Sequence, residues 1–258
     1  MTNNKINFVL LLTACIEPTQ FKNKVQRNDT KVRLTDYKEA LKRWLHYEDD
    51  TITTVIFAEN SGYDLTEIES VFLTENKYQR NYQIFQKIAS QVPQGLHYGY
   101  SELELIDHAI CEISLLKDND FIIKSTGRIY FPKIYLLTKK ILKSHLFVAD
   151  SRKFNFWIWN KNYVLSNLLI FNVKWYKENL FAEKENMINL KISHFETLLH
   201  YLLKDKQLVN NNIILRFPYN VNPVGIGAHW DVNYQSLKKR IEYLIRGIFR
   251  KIFPQIWI

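Results

Sequence analysis

Residues 7–13 read NFVLLLT and residues 53–58 read TTVIFA. Each is a continuous apolar run between polar segments, which is how a strand covered on both faces is written, because alternation is needed only where one face meets water. Between them, residues 35–47 place Tyr37, Leu41, Trp44 and Leu45 at helical spacing, with Thr35 in position to cap the helix. The pattern then repeats. Residues 101–116 carry Leu103, Leu105, Ile106, Ala109, Ile110 and Ile113 on one broad face, with Ser101 as the expected cap; residues 120–125 (DFIIKS) read as the next strand, and residues 146–149 as a short fourth one ending at Asp150. Strands alternating with helices predict an open, mostly parallel α/β sheet with right-handed crossovers.

Beyond Asp150 the texture changes. Aromatic residues crowd 154–159 and 171–176, helices are expected over 178–190 and 193–203, and residues 213–217 (IILRF) read as a late strand. The division expected is an α/β part over 1–150 and a helical, aromatic-rich subdomain over 151–258, continuous with it because no Pro/Gly/Ser-rich linker intervenes. The last segment, residues 237–256, spaces Leu237, Ile241, Leu244, Ile245, Ile248, Phe249, Ile252, Phe253 and Ile256 by threes and fours, among Lys238, Lys239, Arg240, Arg246, Arg250 and Lys251 and a single acid, Glu242. This is a basic amphipathic helix. One reading packs its stripe on the core with the basic face in water; the other lays it on an anionic membrane surface.

Composition narrows the class. With 258 residues, 47% hydrophobic and 24% charged, the chain can bury a large core, which excludes a disordered, collagen-like or disulfide-stapled protein. The balance of 35 basic against 26 acidic residues gives +9 and points to polyanionic partners. Cys15 and Cys111 lack metal or redox spacing and read as buried thiols in a reducing compartment. The 7–13 run is too short to span a bilayer and is taken as a buried strand rather than a signal segment, and no other stretch approaches about 18 uncharged apolar residues, so a soluble or peripheral chain is expected.

Ligands of open α/β sheets bind beyond the carboxyl ends of the strands. Four loops combine glycine with polar groups, 59–64 (ENSGYD), 95–102 (GLHYGYSE), 125–128 (STGR) and 224–231 (VGIGAHWD), and the first three are expected to converge on one crevice at those strand ends. The second leads into a helix N-terminus, a ready anion site, and Lys124 with Arg128 flanks the third, a cation pair suited to a diphosphate. Asp118-Asn119-Asp120 precedes its strand and is read as a solvated turn. Asp150-Ser151-Arg152 follows its strand, but Arg152 stands where a second carboxylate would complete a cation site. That leaves two readings, a weak Mn²⁺ or Mg²⁺ site or a metal-free one in which Lys124, Arg128 and Arg152 neutralise a diphosphate; the second is the expectation.

Taken together, Leu12-Thr13-Ala14-Cys15-Ile16 with Pro18, Arg27, Asp29, Arg33, Asp36-Tyr37, Glu59-Asn60-Ser61-Gly62-Tyr63-Asp64-Leu65, Tyr98-Gly99, Glu102 and Lys124 with Thr126-Gly127-Arg128 and Tyr130 resemble a group of bacterial glycosyltransferase-like proteins from capsule and O-antigen polysaccharide loci. The resemblance covers residues 7–135. It implies a GT-A-like (Rossmann-like) fold, a nucleotide-sugar donor and a lipid-linked glycan acceptor, hence a cytoplasmic enzyme peripheral at the inner membrane face. No nucleic acid is expected. For an inverting transfer a carboxylate or a histidine must then take the acceptor proton; Glu102, Asp150 and Glu196 are the catalytic candidates, and His229 is the histidine considered beside them. Thr13, Arg27, Glu59, Asn60, Lys124, Thr126, Gly127, Arg128 and Arg152 are the donor-side candidates, and His229 and Trp230 the acceptor-side ones; Trp157, Trp159 and Trp175 are further aromatics able to stack on a sugar ring. The rival class is a non-enzymatic α/β module that binds a nucleotide or another anion.

Overall fold

The computed structural model describes residues 6–21, 25–141, 143–153 and 162–252. Along the first half run β1 (Phe8–Ala14), α1 (Thr30–Leu45), β2 (Ile52–Glu59), α2 (Thr66–Glu75), β3 (Asn81–Gln86), α3 (Gly99–Glu112), β4 (Phe121–Thr126), β5 (Ile129–Tyr130), α4 (Tyr135–Thr138) and β6 (Phe147–Val148). There follow β7 (Ser151–Lys153), β8 (Asn162–Val164), β9 (Leu168–Asn172), α5 (Val173–Asn179), α6 (Lys184–Asn189), α7 (Phe195–Val209), β10 (Ile213–Ile214), β11 (Val224–Gly227), β12 (Val232–Asn233) and α8 (Leu237–Ile252).

Seven strands form the central sheet in the order β10-β6-β9-β4-β1-β2-β3. It is mostly parallel: β1 pairs in parallel with β2 and β4, β2 with β3, and β10 with β6, whereas β9 runs antiparallel between β4 and β6. The unbroken apolar runs follow from this placement. Val9 and Leu11 of β1 join the core beneath α3, α5 and α7; Phe8, Leu10 and Leu12 join a second core beneath α1 and α2. The segment after residue 150 supplies β9 and β10 to this same sheet, so the boundary drawn at 150 crosses the sheet.

Several expected boundaries move. Helix α1 begins at Thr30, because the Asp29 side chain accepts from the Val32 backbone N–H and satisfies an open donor there; Thr35 lies inside the helix. Ser101 is likewise internal to α3, which starts at Gly99 where the Cα of glycine lets the Phe195 side chain approach. The expected 178–190 helix is two short ones, α5 capped by Asn172 and α6, parted by a turn in which Ala182 takes φ 62°. Of the aromatics in 171–176, Phe171 belongs to β9 and Trp175 packs on Phe147 in the core, which removes Trp175 from the sugar-stacking set. Trp157 and Trp159 lie outside the described residues. The thiols also differ from expectation: Cys111 is exposed and Cys15 half-buried.

The turn before α6 is held by a buried acid. Tyr176 Oη donates to Asp107 Oδ1 at 2.7 Å and the Ala182 N–H to Oδ2 at 3.2 Å. Burial nevertheless pushes the Asp107 carboxyl up from 3.8 to about 6, outweighing these bonds. The folded chain therefore holds this proton more tightly than the unfolded one, and the group's contribution to stability falls as pH rises from about 4 to about 6. Melting Asp107→Asn alongside the parent should show the variant gaining relative stability between pH 4.5 and pH 7; parallel curves would contradict a raised Asp107 carboxyl.

Helix α8 docks by the face opposite to its apolar stripe. Tyr243 is buried, Gly247 sits against Asn220, where a Cβ would lie 2.3 Å from Nδ2, and Arg250 reaches Asp150. Leu237, Ile241, Leu244, Ile245, Ile248 and Ile252 are exposed. The helix thus closes on the protein with charge inward and its stripe outward, the reverse of the reading that packed the stripe on the core and left the basic face in water. Phe253 and Ile256 lie outside the described residues. Among those residues no helix is long and apolar enough to cross a membrane.

Candidate active site

A cavity of about 310 Å³ opens at the carboxyl ends of β1, β2 and β4, where parallel strands release their loops. The β1 end supplies Thr13 to Cys15, the β2 end Asn60, the β4 end Thr126 and Arg128, the start of α3 Ser101 and Glu102, the β8–β9 turn Ser166 and Asn167, α7 Glu196, and the β11–β12 hairpin His229 and Trp230. Lys239 enters from α8. Eight of the sequence-derived candidates therefore meet: Thr13, Asn60, Glu102, Thr126, Arg128, Glu196, His229 and Trp230.

The floor is a single polar chain. Thr13 Oγ1 donates to Glu102 Oε1 at 2.8 Å, and Lys124 Nζ donates to the same oxygen at 2.7 Å and to the Ser166 carbonyl at 2.6 Å. Ser166 Oγ in turn donates to Glu196 Oε1 at 2.7 Å. Lys124 is fully buried, so its ammonium is affordable only because the Glu102 carboxylate pairs with it and a carbonyl takes another proton. Lys124 consequently lies under the cavity rather than in it. Each of the two carboxylates has one oxygen committed to this chain and, among the described residues, one without a hydrogen bond.

The walls hold polar atoms without protein partners. Asn60 Nδ2 donates to the Ser101 carbonyl at 3.2 Å, but Asn60 Oδ1, Ser101 Oγ, Arg128 Nε and His229 Nδ1 are buried and unpaired among the described residues. Such groups are costly unless a ligand or water meets them. Arg128 is otherwise fixed, its Nη1 donating to the Ile226 carbonyl at 3.0 Å and its guanidinium lying over the Tyr37 ring. At the rim three imidazoles from three segments gather, His97 lying 4.8 Å from His194 and 5.0 Å from His229 between ring centres, beside the largely exposed Trp230. Burial, with the Glu196 and Glu102 carboxylates adding to it, pushes the Tyr98 hydroxyl far above its usual range, so Tyr98 enters this site as a protonated phenol.

The remaining candidates serve elsewhere. Glu59 is fully buried and accepts from the backbone N–H groups of Ile16, Ser61 and Gly62 at 2.9–3.0 Å, knitting the β1 and β2 loops together instead of facing a ligand. Arg27 is spent on Asp36 and Asp231 and joins α1 to the hairpin. Gly127 permits a close approach: a Cβ there would sit 3.0 Å from the Thr13 carbonyl and 3.1 Å from the Tyr37 ring. Asp150 is fully buried, with Arg250 Nη2 2.7 Å from both of its oxygens and Arg152 Nε 2.9 Å from one, and neither Asp150 nor Arg152 lines the cavity. For Glu59, Arg27, Asp150 and Arg152 these are corrections in position with a shared cause: each side chain is consumed by a partner that sequence spacing could not reveal.

The same geometry bears on a metal. The Asp150 carboxylate, which the sequence offered as the one acid of a cation site after its strand, lies off the cavity and already carries two guanidinium groups, so Asp150-Ser151-Arg152 does not fit a divalent ion. Among the described residues no group of three or more His, Cys, Asp or Glu side chains is arranged to hold a metal.

Sequence reasoning missed Ser166, Asn167, Tyr234 and Lys239 on the lining and took Ser101, within the 95–102 loop, for a helix cap. Ser166 and Asn167 could have been found had residues 168–172 been read as a strand, because a short polar turn at a strand start beside β4 points at the same crevice; the Thr126 N–H indeed donates to the Asn167 carbonyl at 3.1 Å. The hairpin that carries His229 depends on Gly225, at φ 128°, whose Cβ would come within 2.3 Å of the Arg128 carbonyl. Gly225→Ala should lower stability by about 1–3 kcal/mol and weaken ligand binding together; a variant that melts with the parent would contradict the close approach.

No known protein family matches the chain as a sequence, and no curated protein matches it. Solved structures do match in fold. The galactosyltransferase LgtC in complex with donor and acceptor sugar analogues is 10% identical, with a TM-score of 0.55 over 80% of this chain and 72% of its own. An active-site mutant of LgtC aligns over the same shares at 10% identity with a TM-score of 0.54. A 4-diphosphocytidyl-2C-methyl-D-erythritol synthase from Anaerococcus prevotii aligns over 96% of this chain and 97% of its own at 12% identity, with a TM-score of 0.46. The chain has a GT-A-like α/β fold: a mostly parallel sheet flanked by helices, with a helical C-terminal part.

Proposed function

We propose that this protein is a glycosyltransferase that moves a sugar, a hexose or a relative of one, from a nucleotide-sugar donor to a lipid-linked glycan of a capsule or O-antigen, at the inner face of the cytoplasmic membrane. The observation that carries the reading is the floor of the cavity, where two carboxylates from different helices, Glu102 and Glu196, are joined through buried Lys124 and Ser166 at the carboxyl ends of the parallel strands. The motif resemblance over residues 7–135 and the shared fold with a galactosyltransferase support it.

In this reading Thr13, Asn60 and Thr126 contact the donor's nucleoside part, and Arg128 with Lys239 faces the diphosphate, where two cations offset the charge that grows on the leaving group. His229 and Trp230 hold the acceptor sugar at the rim. For an inverting transfer Glu196 takes the acceptor hydroxyl proton as that oxygen bonds to the anomeric carbon and the bond from that carbon to the diphosphate breaks. Glu196 is preferred to Glu102 because it lies on the α7 side with the rim aromatics, and its neighbour Ser166 is neutral, whereas Glu102 is paired with Lys124.

The test supplies the full chain with UDP-, GDP-, dTDP- and CMP-sugars together with a short polyprenyl-diphosphate-linked sugar, and reads free nucleotide and product mass. Release with one nucleotide class, dependent on the acceptor, is expected. A chain that binds a donor and turns over none of them would overturn the reading.

A further inference from the structure

We infer that the outer face of α8 is a docking surface for an anionic lipid bilayer. The helix has two faces of opposite use. Lys239, Tyr243, Gly247 and Arg250 follow one another at spacings of three and four and turn inward: Lys239 lines the cavity, Tyr243 is buried and accepts through its carbonyl from Asn220 Nδ2 at 3.4 Å, Gly247 lets Asn220 close in, and Arg250 clamps Asp150. Glu242, the helix's one acid, is spent on Lys239 and Arg246 at 2.7 and 3.0 Å.

The outer face is left with six aliphatic side chains, Leu237, Ile241, Leu244, Ile245, Ile248 and Ile252, each between 43% and 73% exposed. Six neighbouring large apolar residues on one helix exceed the scattered exposure normal for a water-facing surface. The occupant follows from what borders the stripe. Lys238 lies along one side and Arg240 and Lys251 along the other, all exposed, with no acid of the helix among them. An apolar band between two rows of cations matches a surface that is apolar within and anionic at its head groups, and the helix then lies in the interface plane. A second copy of this face would bring those cations against each other. The inference rests on the faces of α8 and not on the transfer proposed above, although it gives that transfer its location.

The test is co-sedimentation of the full chain with vesicles of phosphatidylcholine alone or mixed with phosphatidylglycerol. Binding to the mixed vesicles only, weakened by salt, is expected, with at least a tenfold loss in Ile248→Glu or Leu244→Glu and a comparable loss in Lys238→Glu/Arg240→Glu/Lys251→Glu. These positions are exposed, so the variants should melt with the parent, and two separate stripe variants guard against a local folding effect. A parent that stays in the supernatant, variants that sediment unchanged, or a solution dimer that Ile248→Glu dissolves would each overturn the inference. Nucleotide release is scored separately, so a chain that binds vesicles but transfers nothing keeps this surface and loses the transferase reading.

Discussion

Glu196→Gln is expected to lower sugar transfer by about 10²–10⁴-fold while leaving the melting temperature close to that of the parent. The amide oxygen of Gln can still accept from Ser166 Oγ, so the 2.7 Å bond and the α7 start are kept. What is lost is a group able to accept the acceptor proton, and the loss should appear in kcat with little change in donor binding. Glu102→Gln separates rate from scaffold, because it also strips the counter-charge from Lys124, which is fully buried. Removing one partner of a buried pair costs on the order of 3–5 kcal/mol, so this variant should lose both activity and stability. If Glu196→Gln turns over at the parent's rate, the proton acceptor lies elsewhere on the cavity wall.

A loss of stability as large as that of Glu102→Gln is expected at Asp150. Its carboxylate holds Arg152 and Arg250 and accepts from the Phe217 N–H, which ties the end of α8 to the edge of the central sheet. Burial pushes this carboxyl up, but the two guanidinium groups outweigh it and hold it below the ordinary range. Asp150→Asn leaves two partly buried cations without their anion, at a cost of about 3–5 kcal/mol, or a fall in melting temperature on the order of 10 °C for a chain of this size. The sign with pH follows. A depressed folded pKa contributes stability that is present above the ordinary value of 3.8 and is lost as pH falls through the lower folded value. Between pH 8 and pH 5 the deficit of the variant should therefore be constant, and it should shrink only in stronger acid. A variant that melts with the parent at pH 7 would show that the Asp150 cluster carries no net weight.

The two predictions also show what spacing can and cannot convey. Strands β1, β2 and β4 were legible because burial on both faces demands unbroken apolar runs, and α1 and α3 because their apolar positions recur with the helical period. Strand β3 was not, since this half-exposed edge mixes Gln and Asn with Tyr, Ile and Phe, and the antiparallel β9 was hidden inside an aromatic-rich stretch. The crevice was legible for a topological reason: loops at the same ends of parallel strands converge, which brought Thr13, Asn60, Glu102 and Arg128 together. Asp150, Arg152, Arg27 and Glu59 misled because a polar residue at a strand end or a helix start looks the same in sequence whether it faces a ligand or a partner from a distant segment. Arg250, 100 positions away from Asp150, decides that case. The stripe on α8 was plain in the sequence, but the side it turned to the protein was set by Asn220 and Asp150.

The most direct test of the central claim, that the cavity at the strand ends is a nucleotide-sugar site, is the melting temperature of the full chain with UDP-, GDP-, dTDP- and CMP-sugars in turn, with and without Mn²⁺. A ligand that binds the folded state at 100 times its Kd adds about 2.7 kcal/mol, which at roughly 2–4 °C per kcal/mol is a rise of several degrees. Such a rise is expected with one nucleotide class, present without Mn²⁺ and retained in Glu196→Gln. A cooperative melt that none of the donors moves would contradict the claim.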